Sequence, residues 1–172
     1  MPPRLTLLLL MSLILAPAAY AQEPQPACLE KPQIAEPWTN WTQNSNAIAG
    51  YGVGDAASLP LGQPRTAQLH PVAQVQYPVP PGKPPAAKSF GGLFRVNLAR
   101  PARVGIGLSG PAWVDVVAGE GLAPAIEHGH GLPCSGIAKI VWFDLPVGAS
   151  IVAIAGAPDT AIRIMAADSA AP

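Results

Sequence analysis

The stretch SFGGLFRVNLARPARVGIGL, Ser89 to Leu108, decides the fold class. Phe94, Val96 and Leu98 alternate with Arg95 and Asn97; beyond the turn at Arg100-Pro101, Val104, Ile106 and Leu108 alternate with Arg103, Gly105 and Gly107. Successive side chains of an extended chain point to opposite faces, so both runs predict strands with one buried face. Toward the C-terminus, Pro111 opens another strand over Trp113 to Val117, in which Asp115 is a polar-face residue, a turn cap or a cation ligand. Ala118 to Ala125 reads as a loop leading into Glu127-His128-Gly129-His130-Gly131-Leu132-Pro133-Cys134-Ser135-Gly136. Ile137 to Leu145 is apolar on both faces and predicts a central strand covered on both sides. Ser150 to Ala155 and Ala161 to Ala166 follow as a hairpin across Gly156-Ala157-Pro158-Asp159. Strands at intervals of roughly 8 to 12 residues, separated by Gly/Pro turns, predict an all-β fold: a single antiparallel β-sandwich, jelly-roll-like, over residues 65–167. Residues 168–172 form a frayed tail.

Toward the N-terminus the pattern dissolves into proline. Of the 22 prolines, 12 fall between Pro24 and Pro85. Proline removes an amide donor and blocks helix interiors, so this half holds no long helix. Residues 22–64 read as an irregular, extended lead. The first short strand is Arg65 to His70, ended by Pro71, and Tyr77 to Pro85 is an irregular or polyproline connecting loop. Gly50 to Gly54 lacks the Lys-Ser/Thr of a phosphate-binding loop and reads as a flexible turn. Trp38 and Trp41 are either a sugar-stacking pair or buried anchors that pin the lead to the core.

The first 21 residues have the layout of an export signal: Arg4 in a short n-region, the apolar run Leu5 to Leu15, and the small-x-small site Ala19-Tyr20-Ala21. The location this predicts is periplasmic or secreted. No later run approaches the roughly 20 apolar residues of a transmembrane helix, so no membrane insertion is expected after cleavage. Ten basic residues balance ten acidic ones, and no basic patch argues for nucleic acid. Both cysteines, Cys28 and Cys134, lie beyond the cleavage site, and an even count in an oxidising compartment favours a disulfide between them over two free thiols or an intermolecular bridge.

The strand order Phe94 to Leu108, Trp113 to Val117, Ile140 to Gly148 and the closing strand to Ala166 resembles that of bacterial pre-peptidase C-terminal domains, small β-sandwiches often attached to secreted enzymes and not themselves catalytic. Gly91-Gly92-Leu93-Phe94, Ala112 to Val117, His128-Gly129-His130-Gly131 and Cys134-Ser135-Gly136-Ile137 together resemble a family of small exported bacterial proteins of unestablished function. Its members are often called homogentisate dioxygenase. That name implies a metal-dependent oxidoreductase, and a His-x-His pair begins the metal site of cupins, which are also β-sandwiches. A facial set would combine His128 and His130 with Glu127 or His70 around iron, copper or zinc. In a cupin a carboxylate follows the second histidine by three or four residues; Pro133 and Cys134 stand there instead. The competing reading is a bent loop, with glycines at 129, 131 and 136, tied down by Cys134. Ser135 lies outside any nucleophile elbow. The expectation is therefore an exported, non-enzymatic β-sandwich without a cofactor. It would have a binding or structural role toward a small molecule, a glycan or an envelope protein. The alternative is a dioxygenase-like metalloenzyme.

Overall fold

The computed structural model describes Cys28, residues 32–119 and residues 121–169. The export signal and most of the residues before Pro32 lie outside these described residues. Twelve strands follow in order: Asn46–Ile48 (β1), Ala57–Ser58 (β2), Arg65–Gln68 (β3), His70–Pro71 (β4), Phe90–Leu98 (β5), Ala102–Leu108 (β6), Trp113–Ala118 (β7), Gly121–Ala123 (β8), Ala125–Gly129 (β9), Lys139–Leu145 (β10), Gly148–Ala157 (β11) and Ala161–Asp168 (β12). Two 3-10 turns, Thr39–Thr42 and Val72–Gln74, complete the set.

One sheet has the order β1-β3-β12-β6-β10-β9, and the other β2-β5-β11-β7-β8 with β4 also paired to β5. Stripped of the extra edge strands, β3-β12-β6-β10 faces β5-β11-β7-β8, which is the strand order of an eight-stranded jelly roll. The sheets are mixed because β1 runs parallel to β3 and β2 parallel to β5. The alternation seen in the sequence supplies the core between them: Phe94, Val96 and Leu98 from β5 meet Val104, Ile106 and Leu108 from β6, and all six are buried.

Four expectations are corrected. β11 and β12 do not form a hairpin: β12 pairs with β3 and β6, whereas β11 pairs with β5 and β7 in the opposite sheet. Both edges of β11 are already occupied, and its inward Val152 and Ile154 lie in one core cluster with Ile162 and Ile164 from β12 across the gap. β10 is not the central strand, and its outer face is covered only at Ile140, under Trp38 and Trp41, and in part at Trp142. It lies second from the edge, with Val141, Phe143 and Leu145 facing the core while Asp144 on the other face is exposed. The doubly covered strand is β11, where Ser150 to Ala155 are buried in unbroken succession. Residues 118–125 are not simply a loop either, because β8 and β9 lie there and carry the chain from one sheet to the other. Asp168, expected to begin a frayed tail, closes β12 opposite Val104 and pairs with Arg100 at 2.9 Å.

The proline-rich half is a cover for both outer faces of the sandwich. No proline interrupts the chain between Pro37 and Pro60, and β1 and β2 form in that interval. Trp38 and Trp41 pack with Ile137, Ile140 and Met165 on the outside of the first sheet. There β6 presents Gly105 and Gly107; a Cβ at 107 would lie 2.6 Å from Cζ3 of Trp38, so the missing side chain makes room for the indole. Trp38 meets Trp142 edge-on, with centroids 5.9 Å apart. On the second sheet, Val75 and Tyr77 cover Leu93, Ile151 and Ala153, and the Tyr77 hydroxyl donates to the Ile154 carbonyl at 2.9 Å. Burial pushes the Tyr77 phenol up to about 12.

Candidate functional site: the mouth of the sandwich

The loop between β9 and β10 is held by its own backbone. Gly131 N–H donates to the Ile137 carbonyl at 3.1 Å, Ser135 N–H to Leu132 at 3.0 Å, and Ile137 N–H to the Ser135 hydroxyl at 3.1 Å. Cys134 takes a positive φ of 66° at the loop tip and is joined to Cys28 by a disulfide, with Cα atoms 5.6 Å apart. The described residues contain no free cysteine.

The four metal-ligand candidates are dispersed by this architecture. His128 sits opposite Val141 and Glu127 opposite Trp142, so the two side chains leave opposite faces of β9. Glu127 points toward the Arg103 guanidinium, 3.9 Å away. His130 donates through Nδ1 to the Ala138 carbonyl at 2.6 Å. His70 is buried at the other edge of the sandwich, in β4; its Nε2 donates to the Ala49 carbonyl at 2.7 Å, and its ring stacks on Tyr51 at 3.6 Å. Among the described residues no three His, Cys, Asp or Glu side chains gather as a metal-binding group. His128 and His130 instead share a depression of about 410 Å³ with Pro111 and Lys139. An ammonium where a carboxylate ligand would be needed does not fit a metal centre.

Trp38 and Trp41 are also removed from ligand duty by position. At 7% and 2% exposure they are structural covers, with no free ring face for a sugar.

A cleft of about 620 Å³ adjoins the histidine depression and shares Pro111 and Lys139 with it. One wall is the Lys83-Pro84-Pro85-Ala86 segment and the other is the start of β7 with Trp113. The Pro-rich chain is fixed here because Gly82 N–H donates to Asp115 Oδ2 at 2.8 Å. This gives Asp115 its role: a strand carboxylate that clamps a loop. Lys139 donates from Nζ to the Ala112 carbonyl at 3.0 Å and stands 5.4 Å from the Trp113 ring centroid, within cation-π range. Burial lowers the Lys139 pKa, the neighbouring Lys83 charge lowers it further, and Asp115 acts in the opposite sense. Trp113 Nε1 is buried without a hydrogen-bond partner.

Lys83, Trp113 and Lys139 were not legible as a site in the sequence. Lys139 looks like the polar cap of an apolar run, and Lys83 is embedded in an apparently inert proline segment. The one usable signal was a lysine in each of two Pro- or Gly-flanked stretches. Their approach depends on the pairing of β7 with β11 and of β10 with β6. No protein-family model matches the chain, and no curated protein matches it at a significant level.

Proposed function

We propose that the protein is an exported binding module of the cell envelope and that the cleft between the Lys83–Ala86 segment and Trp113 holds its ligand. The observation that carries this reading is the make-up of the cleft: apolar walls of Pro84, Pro85, Pro111 and Trp113 with a few polar groups set among them. That is the composition and size of a small-molecule site, which ordinarily spans about 300 to 1,000 Å³. The Cys28–Cys134 disulfide accords with an oxidising compartment. The resemblance to non-catalytic β-sandwich domains of secreted enzymes points the same way.

The reading is tested by titrating 15N-labelled protein with a library of small apolar and polar fragments. Hits should move the Trp113 indole N–H and the amides of Lys83 and Lys139, and Trp113→Ala should abolish the shifts. Hits that gather elsewhere, or that survive Trp113→Ala, overturn it. The metalloenzyme alternative is decided by elemental analysis of the purified protein. Stoichiometric iron, copper, manganese or zinc that is lost in His128→Ala and His130→Ala would replace the binding reading.

A further inference from the structure

We infer that the mouth cleft selects an organic carboxylate with an apolar body, the carboxylate seated between Lys83 and Lys139 and the body against Trp113 and the prolines. The inference rests on the binding reading above and adds the chemical class of the ligand.

The argument starts from charge. Lys83 and Lys139 both line the cleft, and neither forms an ion pair among the described residues, where the three pairs involve only Arg100 and Arg103. Asp115, the acidic side chain near them, already accepts the Gly82 N–H. Burial first and the Lys83 charge second lower the proton affinity of Lys139, with the Asp115 carboxylate acting in the opposite sense, so one carboxylate leaves the repulsion between the two ammonium groups only partly offset in a partly apolar cleft. An anion between them removes the repulsion and gains two charge-assisted hydrogen bonds.

Donor supply and shape point the same way. An ammonium has three N–H donors, and Lys139 spends one on the Ala112 carbonyl. The remaining donors of two lysines match the two oxygens of a carboxylate. Lysine ammonium groups also bind phosphate as point charges, so the apolar walls decide between the two anions. The flanking surfaces are pyrrolidine rings and an indole, so an ion without an apolar body would leave them exposed to water. A cation is disfavoured by the same two lysines.

The test uses the full-length oxidised protein and a matched set of probes: benzoate, cyclohexanecarboxylate, acetate, benzamide, benzylammonium and inorganic phosphate. Binding is followed by 15N shifts and by calorimetry. Benzoate and cyclohexanecarboxylate should bind at the cleft at least tenfold more tightly than benzamide or acetate. Lys139→Met and Lys83→Met should each weaken benzoate about five- to tenfold while leaving benzamide unchanged. Lys83 is exposed and outside the core, so its variant keeps the test informative if Lys139→Met perturbs folding. Benzoate affinity should also fall as pH rises toward 10, because Lys139 loses its proton below the ordinary lysine value of 10.5. Equal binding of benzamide and benzoate at the cleft would sink the carboxylate assignment and leave the binding reading standing. Phosphate binding as tightly as benzoate would sink the requirement for an apolar body. Failure of every fragment to reach the cleft would sink both.

Discussion

The seating of Trp38 on Gly107 can be measured by a double-mutant cycle. Trp38→Ala removes an indole that is 7% exposed and packed among Ile140, Met165 and Trp142. Burial of this kind is worth about 3 to 5 kcal/mol on truncation. The lower end applies, because Trp38 covers an outer face where the surroundings can relax. For a domain of this size that corresponds to a fall in Tm of about 6 to 12 °C. Gly107→Ala in the otherwise unchanged protein places a methyl group 2.6 Å from Trp38 Cζ3 and costs about 1 to 3 kcal/mol as the indole is displaced. With Trp38 already truncated, the obstacle is gone. The same alanine should then be neutral or stabilising by about 0.5 kcal/mol, since it stiffens the unfolded chain at a position without a positive φ. The sign of the Gly107→Ala effect therefore reverses between backgrounds, giving a coupling of about 2 kcal/mol. Urea unfolding of the four proteins with the disulfide intact reads it directly. Additivity within about 0.5 kcal/mol would refute the packing, and a Trp38→Ala cost below about 1 kcal/mol would refute the burial.

Two further outcomes follow from the covalent and polar clamps. The disulfide spans 106 residues of sequence, for which chain entropy gives an upper value of about 4 to 5 kcal/mol; reduction should lower Tm by up to about 8 to 20 °C, and an unchanged Tm would mean that the bond bears no load. Asp55 accepts the Tyr51 N–H at 3.0 Å and the Gly52 N–H at 2.7 Å, and these bonds hold its carboxyl below the ordinary 3.8. A depressed acid stabilises the fold above its unfolded pKa and loses that contribution as pH falls through the folded one. Asp55→Asn should thus be less stable than wild type at pH 7, with the gap closing below about pH 4 in a pH series of melting curves; a pH-independent gap would point to packing instead.

The sandwich was legible where strands have one wet and one dry face. Phe94 to Leu98 and Val104 to Leu108 carry that contrast in their side chains, and the structure buries the expected residues. It was not legible at β9, whose first four residues are all exposed, because an edge strand with no dry face leaves no period to detect. β11 escaped notice as the doubly buried strand because alanines and Ser150 occupy it, and small side chains carry little hydropathy while packing closely. The Gly-Ala-Pro-Asp segment after it has hairpin chemistry, yet only the pairing partners of β11 and β12 decide whether it turns within a sheet or between sheets. His128, His130, Glu127 and His70 form no common set, while the cleft is lined by two lysines and a tryptophan whose proximity arises from three-dimensional pairing.

The placement of the last two strands has a kinetic consequence. β12 lies between β3 and β6, and β11 between β5 and β7, so the interior of each sheet is filled by segments that follow nearly all the others in the chain. Neither sheet can close from its early strands alone. Collapse must bring together elements separated by up to about a hundred positions before most of the ladder exists, which places the protein among slow, high-contact-order folders. Until β11 and β12 insert, β3, β5, β6 and β7 each present an unpaired edge. A chain delayed at that stage is the species from which self-association would start.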